Sequence, residues 1–201
     1  GANVILCEPT LESRNTTLSN VQEETKSHLV HPFNDPDVIA GQGTVALEMI
    51  EELDALDAII APIGGGGLMS GTCISARNLL PDVKLFGAEP MGADDAYHSL
   101  KEGRIVPQTE PDTICDGLLT SLGELTWDIL KDHIEAIYRV TDDEVIDSMK
   151  IILEEMKIMI EPSCATAVAA VLSSEFKALE GLERVGVILT GGNIEKTKLP
   201  F

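Results

Sequence analysis

Short aliphatic and β-branched runs alternate along the chain with longer stretches in which apolar residues return at helical spacing. This pattern predicts βα units around a mostly parallel sheet, an α/β fold with helices on both faces. The runs predict strands at Asn3 to Cys7, Asp57 to Ala61, Val83 to Ala88, Ala136 to Val140 and Arg184 to Leu189, with a shorter one at Leu29-Val30. Several are apolar at successive positions, as strands covered on both faces require. An Arg- and Glu-rich helix is expected between the first strand and Leu29. Leu47, Ile50 and Leu53 mark another after Gly43-Thr44. Thr141-Asp142-Asp143-Glu144 reads as a capping box that opens a long helix to Ile160, with the stop at Glu161-Pro162. A small-residue helix then runs from Ser163 through Ala170 to about Lys177, its alanines suited to close packing against a neighbour.

The turn-rich His31-Pro32-Phe33-Asn34-Asp35-Pro36 marks a boundary. It places the end of a small domain in residues 1–34 and a main domain in 35–201. Because Gly1-Ala2-Asn3 runs almost at once into a strand, the fold is expected to be incomplete at its N-terminus. The 201 residues carry 14 Lys and Arg against 34 Asp and Glu, a formal net charge of −20. Such a field repels phosphate backbones and anionic lipid surfaces, so neither nucleic acid nor membrane is an expected partner. No apolar run approaches the ~20 residues that span a bilayer, and no signal peptide is recognisable. Cys7, Cys73, Cys115 and Cys164 stand singly, without a CxxC pair, which fits reduced cysteines and a cytoplasmic location.

Three strand ends carry candidate chemistry. In Ile59-Ile60-Ala61-Pro62-Ile63-Gly64-Gly65-Gly66-Gly67-Leu68-Met69-Ser70-Gly71, a strand ends in four glycines and a helix begins. Backbone amides without side chains converge there, and the helix N-terminus adds positive potential, so an anion such as phosphate is favoured. The alternative is a merely flexible turn. Gly-Lys-Ser/Thr is absent, which excludes a nucleotide P-loop. A second glycine turn, Thr190-Gly191-Gly192-Asn193, follows another buried strand; Thr190 offers a hydroxyl to a ring nitrogen or simply caps the turn. In Glu89-Pro90-Met91-Gly92-Ala93-Asp94-Asp95 two carboxylates and a loop carbonyl suit a hard divalent cation, while Asp94-Asp95 alone reads equally as a solvated helix start.

Taken in order, Cys7-Glu8-Pro9-Thr10 with Glu12-Ser13-Arg14, Val38-Ile39-Ala40-Gly41-Gln42-Gly43-Thr44, the tetraglycine loop, Ala88-Glu89-Pro90 with Ala93-Asp94-Asp95, Asp116-Gly117, Ile160-Glu161-Pro162 and Gly191-Gly192-Asn193 form a recognisable set. With them the chain resembles the eukaryotic serine racemases and the related threonine and 3-hydroxyaspartate dehydratases, pyridoxal-phosphate enzymes of the tryptophan-synthase β-like fold. The resemblance runs nearly end to end but covers only the later, mainly large-domain part of such an enzyme. It implies that Gly64, Gly65, Gly66 and Gly67, with the amides of Leu68 and Met69, cradle the phosphate of pyridoxal 5'-phosphate. It further implies that Gly117 lies at the cofactor, that Thr190 faces the pyridine nitrogen, and that this neutral hydroxyl leaves the nitrogen unprotonated. Glu89, the carbonyl of Ala93 and Asp95 match the family's site for Mg²⁺, Ca²⁺ or Mn²⁺. Lys157 and Glu161 match positions near the ATP site at the homodimer interface, where ATP acts as an activator. Arg14 belongs to the small domain that closes over substrate.

Two departures qualify the resemblance. Phe33 stands where the animal racemases carry asparagine, and Phe33-Asn34-Asp35-Pro36 is nearer the dehydratases. The family's Schiff-base lysine, in Ser-Phe-Lys, and its opposite-face serine lie upstream of every residue here, so no catalytic residue is expected within the chain and the isolated chain is expected to be inactive. The Ser-x-Lys at Ser148-Met149-Lys150 falls within a capped helix, which makes Lys150 a surface residue. The expected activity of the full enzyme is racemisation of serine, or elimination of water from serine, threonine or 3-hydroxyaspartate to a keto acid and ammonia. The alternative is a non-catalytic domain that binds a phosphate ligand or has a regulatory role.

Overall fold

The structure, a computed structural model, describes residues 1–8, 10–53 and 55–201; Pro9 of the Cys7-Glu8-Pro9-Thr10 motif lies outside them. The chain divides into two units, Gly1–His31 and Pro32–Phe201. In the first, α1 (Leu11–Thr25) starts where Thr10 accepts the Ser13 amide and stops where Lys26 turns left-handed. Neither Asn3 to Cys7 nor Leu29-Val30 forms a strand. Val4, Leu6 and Val30 are instead exposed, because β-branched propensity makes a strand only where another strand accepts its backbone hydrogen bonds.

In the second unit, Asp35 caps α2 (Pro36–Gln42) by accepting the amides of Asp37 and Val38, and α3 (Thr44–Glu52) follows. The sheet then builds by crossovers. β1 (Ala58–Pro62) leads through α4 (Gly67–Leu79) to β2 (Lys84–Pro90), and α5 (Asp95–Glu102) and α6 (Glu124–His133) precede β3 (Ala136–Val140). After α7 (Asp142–Ile151), α8 (Pro162–Leu172) and α9 (Ser174–Lys177), the chain returns as β4 (Val185–Val187). The order is β3-β2-β1-β4, every pair parallel.

Alternate residues of each strand serve two cores. Ala58, Ile60, Phe86, Ala88, Tyr138 and Val140 pack under α7 and α8 with Val145, Met149 and Ala165. Ile59, Ala61, Leu85 and Ile137 pack on the other face under α4 and α6, against Met69, Cys73 and Leu130. Ile59 and Ile60 are fully buried, each contributing roughly 2 kcal/mol of transfer free energy. On the first face, Phe86, Tyr138 and Phe176 meet edge to face with centroids 5.1–5.8 Å apart. Arg77 ties the end of α4 to two other segments, donating to the carbonyls of Pro81, Val83 and His133 at 2.8–2.9 Å.

The long helix expected from Thr141 to Ile160 is shorter. Its capping box forms, with the Thr141 amide donating to Glu144 Oε2 at 2.7 Å. The α-helix ends at Ile151, however, widens into a π turn over Ile152–Met156 and closes at Lys157, where φ is +60°. Pro162 therefore begins α8 rather than ending α7. A proline at the first helical position loses no intrahelical bond and holds the preceding residue extended. Residues 162–170 are buried, so α8 is a core helix. It ends at Leu172, since Ser173 turns out and caps α9 instead. β4 is also shorter than the run Arg184 to Leu189.

Asp57, ahead of β1, accepts the amides of Glu183 and Arg184 at 2.8 and 2.7 Å, which fastens the approach to β4. These bonds favour the ionised carboxyl and hold its pKa below the ordinary value. A depressed folded pKa contributes stability above the unfolded carboxyl pKa, and that stability is lost as pH falls through the folded value. Asp57→Asn is therefore expected to lower the urea midpoint at pH 7. The difference from the parent chain should shrink as pH falls below about 4.

Candidate cofactor site

β1 lies between β2 and β4 and is parallel to both, so the carboxyl ends of β1 and β4 lie side by side. In an open parallel sheet, ligands bind outside the carboxyl ends of the strands. The tetraglycine loop leaves β1 there, and residues 188–193 leave β4.

Gly64 to Gly67 are buried, and Gly66 adopts φ +86° before α4 begins at Gly67. A side chain would strain that conformation. Among the described residues the first amide of the loop with a backbone acceptor is that of Ser70, donating to Gly66 O at 2.9 Å; those of Gly64 to Met69 have none. Unpaired amides at the head of a thirteen-residue helix suit an anion, and a phosphate would satisfy them. The loop is held from behind. Thr126 Oγ1 donates to Gly65 O at 2.8 Å, and the Phe33 ring lies so close that a Cβ on Gly65 would sit 2.3 Å from it. Asn34 Oδ1 accepts the Leu125 amide at 2.9 Å and so fastens α6 beside the same segment.

The other turns meet the start of α8. Gly117, whose carbonyl lies 3.1 Å from a Cβ built on Gly64, donates its amide to Ser163 Oγ at 3.0 Å. Thr190, an exposed residue, donates its amide to Cys164 Sγ at 3.2 Å. Glu161 Oε2 accepts the Asn193 amide at 3.0 Å. These bonds divert the backbone after Ile188, whose amide is the last to pair with β1, and so explain the short β4. A cleft of about 530 Å³ beside them is lined by Asp116, Glu161, Asn193, Glu195 and Lys198 among others.

At the end of β2, Glu89 is fully buried and accepts the amides of Ala96 and Tyr97 at 3.0 and 2.7 Å. Asp95 Oδ2 accepts the Leu122 amide at 3.2 Å, while the buried Asp95 Oδ1 has no partner. Ala93, between them in sequence, is buried. Burial pushes the Asp95 carboxyl up to about 7 and, with the Asp95 charge, pushes Glu89 well above its ordinary value. Among the described residues no group of three His, Cys, Asp or Glu side chains is placed to hold a metal.

The remaining residues singled out by sequence are dispersed. Arg14 is exposed on α1 of the first unit. Lys157 reaches the Glu154 carbonyl. Lys150 lies on α7, paired with Asp147 at 2.9 Å. All four cysteines are free, Cys7 exposed and the others buried. The contacts of Phe33, Thr126, Ser163 and Cys164 escaped the sequence reading. The pattern Gly123-x-x-Thr126 at a helix start carried a signal for Thr126 alone, whose Oγ1 accepts the Gly123 amide at 2.9 Å.

A family model described as pyridoxal-phosphate dependent enzyme matches residues 1–191. The chain belongs to that family. It is 49% identical to the serine racemase of Dictyostelium discoideum, over 99% of this chain and 62% of that protein. It is 48% identical to the beta-hydroxyaspartate dehydratase of Paracoccus denitrificans, over 100% of this chain and 63% of that one. Among solved structures, maize serine racemase superposes with a TM-score of 0.96 at 40% identity, covering 99% of this chain and 61% of its own. The chain thus spans less than two thirds of the length of these relatives.

Gly65→Ala tests whether the cradle depends on close approach. The substitution is expected to weaken inorganic-phosphate binding and lower the melting temperature, and Phe33→Ala in the same chain should offset part of both losses. A double-mutant cycle on the two positions measures the coupling.

Proposed function

We propose that this chain forms the greater part of the cofactor-binding domain of a pyridoxal-phosphate enzyme acting on small hydroxy amino acids. The activity is racemisation of serine, elimination of water from serine, threonine or 3-hydroxyaspartate, or both. The observation that carries this reading is the run of amides from Gly64 to Met69, without a backbone acceptor among the described residues, at the head of α4 and the carboxyl edge of the sheet, in a chain nearly half identical to a serine racemase and a beta-hydroxyaspartate dehydratase. When bound, pyridoxal phosphate supplies the electron sink that stabilises negative charge at the substrate Cα. The chain's own residues hold and orient it. Amides of Gly64 to Met69 bind the phosphate, the Gly117 turn lies beside them, and Thr190 offers a neutral hydroxyl at the pyridine nitrogen. Arg14, on the small domain, serves closure over substrate.

Glu89, the Ala93 carbonyl and Asp95 bind a divalent cation, Mg²⁺ or else Ca²⁺ or Mn²⁺; the unpartnered Asp95 Oδ1 supports this, because a buried carboxylate oxygen without a donor is costly unless a cation meets it. Lys157 and Glu161 lie at an ATP-responsive homodimer contact, a reading supported by the half-exposed Met156, Ile158 and Met159 around them. No helix among the described residues is long and apolar enough to cross a membrane, and the free cysteines support a cytoplasmic location.

The test is to supply the protein carrying this chain with pyridoxal phosphate and serine, threonine and 3-hydroxyaspartate in turn, following keto acid and the opposite enantiomer. Turnover of at least one is expected. Binding of phosphate with no turnover and no preference for pyridoxal phosphate would establish the non-catalytic alternative. For the cation, millimolar Mg²⁺ is expected to raise the melting temperature as mass action requires, and Asp95→Asn should abolish the rise.

A further inference from the structure

We infer that the first turn of α8 is a positioning platform for both turns assigned above to the cofactor ring, with Glu161, Ser163 and Cys164 as its positioning residues. The inference rests on the functional reading just given and adds residues to it. These three residues flank or follow Pro162 at the helix start, where side chains ordinarily satisfy the helix's own free amides. Here they face outward to other segments. Glu161, the N-cap, makes no side-chain bond to its own helix and instead accepts the Asn193 amide at 3.0 Å. Ser163 Oγ accepts the Gly117 amide at 3.0 Å, and Cys164 Sγ, fully buried, accepts the Thr190 amide at 3.2 Å.

Backbone contacts reinforce these bonds. The Glu161 amide donates to Gly191 O at 3.1 Å, and a Cβ built on Gly192 would stand 2.1 Å from Met159 O, so the 190–193 turn lies flush on residues 159–161. Three neighbouring residues therefore fix two turns that are far apart in sequence. Because α8 is buried from Pro162 to Ala170 and packs on β1, β2 and β3, the platform is anchored in the core. Thr190 is exposed, and its backbone is held by the sulfur beneath it. That bond holds the backbone from which the Thr190 hydroxyl is presented.

The first measurement is amide hydrogen exchange in the cofactor-free protein. Cys164→Ala should speed exchange at Thr190, Ser163→Ala at Gly117 and Glu161→Ala at Asn193, each by about 5-fold and each without effect at the other two, as expected for loss of one net hydrogen bond. Glu161→Gln and Cys164→Ser keep an acceptor and should retain protection. In the second, pyridoxal phosphate is titrated by its absorbance. The three alanine variants should bind it several-fold more weakly and shift the band of the bound cofactor, and the two conservative variants should recover both. Unchanged exchange at the partner amides, or equal acceleration at all three, would overturn the platform. So would cofactor affinity and spectrum that ignore altered exchange. If the parent protein takes up no pyridoxal phosphate, the functional reading falls, while the exchange rates still decide whether α8 holds these turns.

Discussion

Parallel pairing of β1 with two partners is the constraint on which the site depends. β1 is buried on both faces and hydrogen-bonded on both edges, so its carboxyl end is fixed in position, and the chain leaving it has no freedom to choose where the next helix starts. That end delivers Gly64 to Gly67. The neighbouring end of β4 delivers Thr190 to Asn193.

The glycine loop then does two things at once. Its amides have no backbone acceptor among the described residues, and its carbonyls and Cα atoms are used for packing on Thr126 and Phe33. One without the other would fail. A loop with free amides but no backing would lose the geometry that lets several N–H groups point at one oxygen cluster, and a packed loop with occupied amides would bind nothing. The buried carboxylates at the end of β2 follow a similar economy. Glu89 organises the first amides of α5, while Asp95 keeps one buried oxygen unpartnered, an arrangement costly for an ionised carboxyl that raises its pKa to about 7.

Most of the fold was legible in the sequence. Four of the runs read as strands lie in the sheet, because strands buried on both faces must be apolar at consecutive positions and so advertise themselves. The run at Asn3 to Cys7 has the same composition and forms no strand, since nothing local can say whether a partner edge is present. Similarly, Pro162 announces a break in helical structure from sequence alone. Whether it ends one helix or starts the next was decided by the π turn and by Lys157 at positive φ, which let α8 turn in against the sheet.

By itself the sequence determined the α/β architecture and the family and marked out the tetraglycine loop, because these rest on periodicity, on motifs in a fixed order and on glycine's lack of a side chain. Only the tertiary structure decided what stands behind those motifs. Phe33 lies 32 positions before Gly65, Cys164 lies 26 before Thr190 and Ser163 lies 46 after Gly117. No local pattern encodes such contacts. They arise when strands from separate parts of the chain are brought side by side and the helices between them are pressed against a common core, where an amide that loses water must find whatever acceptor the packing provides.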